Sequence, residues 1–190
     1  MRERLEQKWR NSLAKAERAG LNVRCGAEDA LFREALAAHG RHLDERKFQT
    51  TVTVPFLETL QSLLPGDRKL EALVADAGGR PVASVLLAVY GRTAEYLAGS
   101  VGPEGRPINA GQLLLWRAVL RAKERGLRYF DVGGLDADLT PKGIYHFKAG
   151  LGGVPYRLCP EIESAGSGLV ERLVRWRVQR ARAASQPAAL

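Results

Sequence analysis

A short segment in the last third of the chain carries the residue best suited to chemistry. Pro141 predicts the start of a helix over 142–149, Gly150 predicts its end, and Lys148 falls in the last turn. A cation on a rigid helix can stabilise the oxyanion that develops when an acyl group is transferred. From the residue alone, an exposed helix lysine is the simpler interpretation. The case for catalysis therefore depends on the motif around Lys148.

Two aromatic side chains belong to the same predicted helix. Phe147 is expected more often in the core than in a site, because large apolar side chains on a helix are usually buried. Tyr145 is better suited to line a pocket or to stack on a nucleobase. Both are candidate substrate-binding residues.

Three polar residues precede this helix and are further candidates for substrate binding. Asp131 ends a predicted strand before two glycines, where ligands of α/β sheets gather. It can bind an incoming ammonium or tie down the loop, and the sequence favours neither role. Asn109 suits a helix cap better than a ligand. Arg106 can contact a phosphate, although an exposed loop arginine is the safer interpretation.

The histidines and cysteines do not have the spacing of a metal or nucleophile site. His39 and His42 are three apart, but the helix predicted there ends between them, and His146 is distant. We expect surface histidines and no metal. No Gly-x-Ser-x-Gly or Gly-x4-Gly-Lys-Ser/Thr motif occurs. Cys25 and Cys159 are expected to be small buried residues in a reducing compartment.

Hydrophobic periodicity predicts elements that alternate between helix and strand. The predicted helices cover 8–19, 28–39, 56–64, 110–125, 142–149 and 169–184, and the predicted strands cover 21–24, 70–77, 82–90, 93–98, 127–132 and 154–158. Residues 41–50 are expected to form a loop, 166–168 a linker, and 185–190 a frayed tail. No apolar run is long enough for a membrane span, and the N-terminus lacks the apolar region of a secretory signal.

This order predicts a mixed α/β sheet with a crossover helix, in a chain whose 190 residues suit one domain. It resembles the N-acetyltransferase-like (GNAT) fold, with an extra basic helix at each terminus. Proteins of this fold that use acetyl-CoA bind its pyrophosphate with a Gln/Arg-x-x-Gly-x-Gly/Ala turn before the crossover helix. The corresponding residues 105–112, Gly-Arg-Pro-Ile-Asn-Ala-Gly-Gln, do not match. Acetyl-CoA is therefore not the favoured donor, and no cofactor is expected.

Three segments resemble FemABX-type aminoacyltransferases, a narrower family on this fold. They are a basic helix before a strand (8–23), a crossover helix and its following strand (108–116 and 122–134), and Gly143-Ile-Tyr145-His-Phe147-Lys148-Ala-Gly150-Leu-Gly-Gly. The last is similar to the family's Gly-x-x-x-Phe-Lys-x-Gly-Phe/Leu-Gly-Gly signature and is the most specific.

The resemblance implies transfer of an aminoacyl group from tRNA to an amine of a peptidoglycan precursor. With this motif around it, Lys148 becomes the leading catalytic candidate, and Tyr145 is expected to line a pocket or to stack on the adenine at the tRNA end. The family has duplicated GNAT-like domains, of which this chain resembles the second. We expect 1–24 to be a lead-in helix and strand, 25–160 the GNAT-like domain, and 168–184 a C-terminal basic amphipathic helix.

The net charge of +8 arises at the two ends of the chain. Residues 1–24 hold seven basic and three acidic side chains, 168–190 hold five and one, and the region between is balanced. In the first helix the candidates for tRNA or phosphate contact are Lys8, Arg10, Lys15 and Arg18; a solvated face is an equal alternative. The last helix suits either the surface of a membrane or docking on the domain or a second subunit.

Two other functions remain open at this stage. One is a CoA-dependent N-acyltransferase on the same fold, and the other is a non-catalytic RNA- or membrane-binding remnant of a two-domain enzyme. A cytoplasmic location is expected, with peripheral attachment to the inner face of the plasma membrane as a variant. The expected protein partner is either a separate first domain or further copies of the chain in a homo-oligomer.

Overall fold

The structure is a computed structural model that describes residues 1–46, 50–138, 140–159, 168, 172–178 and 180. The chain forms two compact units, Met1–Val154 and Pro155–Leu190. The first unit contains the sheet and every helix and strand that carries a label below. Helix α1 and the first strand are therefore part of the same unit as the sheet core.

Five strands form one mixed sheet in the order of the chain. They are β1 (Asn22–Gly26), β2 (Glu71–Ala77), β3 (Arg80–Tyr90), β4 (Thr93–Val101) and β5 (Tyr129–Asp131). Strands β1 to β4 are antiparallel neighbours, whereas β4 and β5 are parallel. A parallel pair needs a crossover between its strands, and the helix that follows β4 supplies it.

Among the described residues of the first unit, five α-helices surround the sheet: α1 (Gln7–Arg18), α2 (Asp29–Arg46), α3 (Val54–Leu63), α4 (Ala110–Glu124) and α5 (Lys142–Ala149). Helices α2 and α3 bury their apolar residues against one face of the sheet. Helix α4 covers the other face, and α1 packs on α4 through Trp9, Leu13 and Ala16. The predicted mixed sheet with its crossover helix is confirmed.

Strands β4 and β5 diverge after three paired residues. The register runs from Thr93 opposite Tyr129 to Glu95 opposite Asp131, and there β5 ends while β4 continues to Val101. A bulge at Leu97 bends β4 just beyond the last pair, since Tyr96 lies opposite Leu87 and Ala98 opposite Leu86. The region beyond the last pair, at the carboxyl end of β5, is called the gap between β4 and β5 below; ligands of α/β sheets bind at such strand ends.

The predicted strand over 154–158 is wrong. Residues 152–159 have no regular secondary structure. Val154 is 86% exposed, Tyr156 69% and Leu158 75%. The alternating apolar pattern predicted a strand, but a strand needs neighbours that bury its apolar face.

The predicted end of the second helix at Gly40 is also wrong, because α2 continues to Arg46. A Cβ on Gly40 would lie 3.2 Å from Cγ2 of Val54, so this glycine permits close packing between α2 and α3. His39 is buried, with Nε2 2.9 Å from the carbonyl oxygen of Val52. The prediction of a surface histidine at this position is therefore wrong.

In the second unit, residues 172–178 and 180 are helical, within the helix predicted over 169–184. The guanidinium of Arg180 lies 4.6 Å from the ring centre of Trp176. The remaining residues of that predicted helix, residues 166–167 of the linker and the tail 185–190 lie outside the described residues. Among the residues described, no helix combines the length and apolar character needed to cross a membrane.

Candidate active site

Lys148 lies beside the gap between β4 and β5. Its Nζ donates a hydrogen bond to the carbonyl oxygen of Gly134 at 3.0 Å, and the side chain is partly buried. Burial lowers the pKa of Lys148, and the negative charge of Asp131 partly offsets this effect. The lysine is thus a partly dehydrated cation at the point where the sheet opens.

The loop after β5 is shaped by Asp131 and Gly133. Oδ1 of Asp131 accepts a hydrogen bond from the backbone N–H of Gly133 at 2.7 Å, so the carboxylate ties down the loop. Gly133 has a φ of +72°, and a Cβ there would lie 3.7 Å from Nζ of Lys148. The sequence left two roles for Asp131 open, and the loop contact is the one present here.

Tyr96 was not predicted as a site residue, yet it lies where the gap begins. Its carbonyl oxygen is 3.9 Å from the position that a Cβ on Gly133 would take. Its ring turns back over Gly99, where a Cβ would lie 2.1 Å from the phenol oxygen. Burial raises the pKa of Tyr96 to about 12, so the phenol keeps its proton at neutral pH. In the sequence this tyrosine looks like any aromatic residue of a strand.

Residues near the N-terminus donate hydrogen bonds to carbonyl groups at the end of α5. The carbonyl of Phe147 is one of the last helical carbonyls, which have no partner within the helix. The indole Nε1–H of Trp9 donates to it at 2.9 Å, and the backbone N–H of Glu6 donates to the carbonyl of Gly150 at 3.0 Å. The Phe147 ring packs into the α1–α4 cluster, and Tyr145 makes an edge contact with His146.

The basic residues of α1 divide into two groups. Lys8, Lys15 and Arg18 are exposed. Arg10 is partly buried, and its guanidinium donates hydrogen bonds to the carbonyls of Glu3 and Leu5. Arg10 therefore holds the N-terminal segment, whereas the other three residues face solvent.

The cysteines do not share one environment. Cys25 is partly buried, and burial raises the pKa of its thiol. Cys159 is exposed, so the prediction of a buried residue is wrong at that position. Within the described residues, no group of three histidine, cysteine or acidic side chains is placed to hold a metal ion.

A family model for the acetyltransferase (GNAT) domain matches residues 2–149. This match covers the whole sheet and helix α5. The chain belongs to the GNAT acetyltransferase domain family. It is accordingly an acyltransferase domain. Comparison of this GNAT domain with curated proteins gives no match.

Three solved structures resemble this GNAT domain at low sequence identity. FemX has 15% identity and a TM-score of 0.67, over 80% of this chain and 55% of FemX. An aminoglycoside acetyltransferase from an uncultured soil metagenomic sample has 15% identity and a TM-score of 0.56, over 77% of this chain and 97% of its own. The C-terminal domain of a protein described as a lysylphosphatidylglycerol synthetase from Agrobacterium fabrum has 14% identity and a TM-score of 0.51, over 68% of this chain and 41% of that chain. The chain therefore spans about half the length of FemX, and these similarities show the fold.

Four backbone N–H groups of the loop before α4 are engaged within the loop instead of being available to the pyrophosphate of acetyl-CoA. A phosphate cradle needs backbone N–H groups that point at the ligand. In this GNAT domain the N–H groups of Gly105, Arg106, Asn109 and Ala110 donate to carbonyls of the same loop, and Pro107 has none. A Cβ on Gly105 would lie 2.4 Å from the carbonyl oxygen of Val82, so this glycine serves close packing.

The two candidate residues of that loop have structural contacts. The guanidinium of Arg106 donates to the carbonyl of Val101 at 3.2 Å and is exposed. Asn109 has left-handed backbone angles, with φ of 56° and ψ of 37°, and its side chain makes no capping hydrogen bond. The predicted side-chain cap is wrong because an N-cap residue needs an extended backbone.

Proposed function

We propose that this GNAT domain transfers an aminoacyl group from aminoacyl-tRNA to an amine of a peptidoglycan precursor or a similar acceptor. The observation that carries the proposal is the position of Lys148, partly buried beside the gap between β4 and β5 with Nζ held by Gly134. The sequence around Lys148 resembles the FemABX signature. The structural similarity to FemX and to the lysylphosphatidylglycerol synthetase domain supports the same choice.

The reaction requires the protein to position the two substrates and to stabilise the charge that develops on the ester oxygen. The neutral amine attacks the ester carbonyl, a C–N bond forms, the ester C–O bond breaks, and the ribose hydroxyl leaves with the proton that the amine loses. The ester is already activated, so no covalent enzyme intermediate is needed. The ammonium of Lys148 stabilises the oxyanion, and its partial burial strengthens that interaction.

The substrate-binding residues follow from the same arrangement. Tyr145, partly buried three residues before Lys148, stacks on the adenine at the tRNA end. Phe147, Asp131, Asn109 and Arg106 complete the proposed set. Phe147 acts through the packing of its ring against α1 and α4, and Asp131 acts through the effect of its charge on Lys148. The exposed residues Lys8, Lys15 and Arg18 contact tRNA phosphates, and Arg10 supports the segment that carries them.

The helical residues of the second unit give a second surface. Leu173, Val174 and Trp176 are exposed, and Arg172, Arg175, Arg177 and Arg180 belong to the same segment. Apolar and cationic side chains on one helix suit an anionic membrane surface, where a lipid-linked acceptor is found, or a protein partner. Sedimentation with anionic and with uncharged vesicles separates these two outcomes.

The test follows transfer of a labelled amino acid from charged tRNA to a peptidoglycan precursor. The wild-type chain should produce labelled precursor, alone or together with a separately supplied first domain. Lys148→Ala should abolish transfer, and Lys142→Ala should not, because Lys142 is an exposed lysine at the start of the same helix. The proposal is wrong if no transfer occurs in either setting, or if the two variants behave alike.

The second candidate is a CoA-dependent N-acyltransferase, which the description of the family favours. Four N–H groups of the loop before α4 count against it, because they already donate to carbonyls within the loop. A rise in the melting temperature with acetyl-CoA, absent with pantetheine alone, would establish it. If Lys148→Ala leaves every binding and activity measurement unchanged, the domain is instead a non-catalytic binding module.

A further inference from the structure

The buried indole of Trp9 has an unusual role for a core residue. Trp9 is 4% exposed and belongs to the apolar face of α1 that packs on α4. Its Nε1–H nevertheless donates a hydrogen bond to the backbone carbonyl of Phe147, 138 residues later in the chain. A core position needs only an apolar ring, so the hydrogen bond calls for a separate explanation.

The contacts around this bond fix the end of helix α5 on both sides of Lys148. Phe147 is held through its carbonyl by Trp9, and Gly150 is held through its carbonyl by the N–H of Glu6. A Cβ on Gly150 would lie 2.6 Å from Cδ1 of Trp9, so the ring lies directly against the helix end. Lys148 stands between the two held carbonyls, and its Nζ has one anchor of its own, the carbonyl of Gly134.

We propose that Trp9 is the positioning residue for Lys148. The inference rests on the proposed function, since it assigns Trp9 a task in the aminoacyl transfer that Lys148 performs. The indole sets the depth of the last turn of α5, and that depth decides how far Nζ reaches into the gap between β4 and β5. Small displacements of a group that stabilises a transition state have large effects on rate.

The arrangement also links two of the three segments that resemble the FemABX family, the basic helix and the segment around Lys148. The exposed residues of α1 lie on the same rigid helix as Trp9, and Trp9 contacts the helix that carries Lys148. A tRNA phosphate bound to α1 is therefore connected to the lysine through one side chain.

The test compares two identical substitutions in one apolar cluster. Trp9→Phe removes the hydrogen-bond donor and retains an aromatic ring. Trp116→Phe is the control, because Trp116 is a buried tryptophan of the same cluster on α4, and among the described residues it makes no hydrogen bond to α5. Transfer should show a kcat lowered about tenfold or more in Trp9→Phe with an unchanged KM for charged tRNA. Trp116→Phe should leave kcat within about twofold of wild type.

A second measurement needs no substrate. Acetylation of Lys148 by acetic anhydride, measured by mass spectrometry from about pH 7 to 11, reports the titration of its amine. Trp9→Phe should release the helix end, increase the hydration of Lys148 and move this titration upward, toward that of an ordinary lysine. Trp116→Phe should not change it.

A third variant keeps the inference testable if Trp9→Phe does not fold. Gly150→Ala acts on Trp9 from the side of the helix, because a Cβ at Gly150 would lie 2.6 Å from Cδ1 of Trp9. The indole must shift to make room for the methyl group, which weakens its hydrogen bond to the carbonyl of Phe147. The same upward shift in the titration of Lys148 is expected.

The two kinds of failure are distinct. If the wild-type chain shows no aminoacyl transfer, the proposed function is wrong, and the acetylation measurement still tests the position of Lys148. If Trp9→Phe, or Gly150→Ala in its place, leaves the titration of Lys148 as it is in Trp116→Phe, Trp9 does not position the lysine. An equal loss of kcat in both tryptophan variants leads to the same conclusion.

Discussion

The negative charge of Asp131 acts on the ammonium of Lys148 beside the gap between β4 and β5. Burial lowers the pKa of Lys148, and the charge of Asp131 raises it in part. The same carboxylate accepts the N–H of Gly133 at 2.7 Å. Asp131 therefore has an electrostatic role and a structural role, and a single substitution separates them.

Asp131→Asn should shift the alkaline loss of activity to lower pH. A catalytic cation is fully present below its pKa and is lost as the pH rises through that value. Removing the negative charge removes the effect that raises the pKa of Lys148, while the amide oxygen of asparagine still accepts the N–H of Gly133. The measurement is the single-turnover transfer rate against pH, corrected for hydrolysis of the ester without protein.

Asp138→Asn is the control for that profile, because Asp138 is an exposed carboxylate of the same loop. It should reproduce the wild-type profile. An Asp131→Asn profile that does not move, or that moves to higher pH, would show that the charge of Asp131 does not act on the catalytic cation.

Gly143 and Gly150 of the α5 motif should respond in opposite directions to alanine. A Cβ on Gly150 would lie 2.6 Å from Cδ1 of Trp9 and 2.9 Å from the carbonyl oxygen of His146, whereas Gly143 faces open space. Gly150→Ala should lower the free energy of unfolding by about 1–3 kcal/mol through overpacking. Gly143→Ala should raise it by about 0.5–1 kcal/mol because the helix no longer contains a flexible residue.

Urea unfolding of the two variants gives both numbers. Equal changes in the free energy of unfolding would mean that both glycines affect stability only through the flexibility of the helix. The contact between Gly150 and Trp9 would then not restrict the helix end.

Local sequence patterns predicted most of the sheet because the strands and turns are marked in the sequence itself. Strands β2, β3 and β4 are apolar runs, and the glycines between them have the positive φ that tight turns require: +57° at Gly78, +80° at Gly79 and +54° at Gly91. The end of α2 was mispredicted since Gly40 has the local pattern of a helix terminator. Its role depends on Val54, which the local pattern does not include.

The residues of the candidate site also divide into those that the local sequence predicts and those that it does not. Lys148 was found because a contiguous motif surrounds it, and its helix was predicted from Pro141 and Gly150. Trp9 and Tyr96 were missed because each has the pattern of a core residue in its own element. What distinguishes them is a contact with a distant part of the chain, Phe147 for Trp9 and the loop at Gly133 for Tyr96.

Glu71 should be a larger determinant of stability than the exposed charge pairs. It is 7% exposed at the start of β2, where its carboxylate accepts a hydrogen bond from Nε of Arg121 at 2.7 Å and contacts Arg125. Glu71→Gln should lower the free energy of unfolding by about 2–3 kcal/mol, because two charge-assisted contacts to a buried acceptor are lost.

Arg33→Gln is the matched control, since Arg33 forms an exposed ion pair with Asp29 on α2. It should leave the urea midpoint unchanged, as exposed pairs contribute little. A Glu71→Gln midpoint equal to that of Arg33→Gln would show that the β2–α4 pair is no stronger than a surface contact.

The basic residues of α1 should separate into those that bind RNA and one that supports the fold. Lys8→Gln and Lys15→Gln remove exposed charges, so each should reduce the slope of log K against log salt for tRNA binding by about one and leave the melting temperature unchanged. Arg10→Gln should lower the melting temperature instead, because its guanidinium holds the carbonyls of Glu3 and Leu5. Filter binding at several salt concentrations, with thermal unfolding of each variant, measures both effects. If all three variants change the salt slope equally, Arg10 contacts the RNA too, and if none does, α1 is a solvated face.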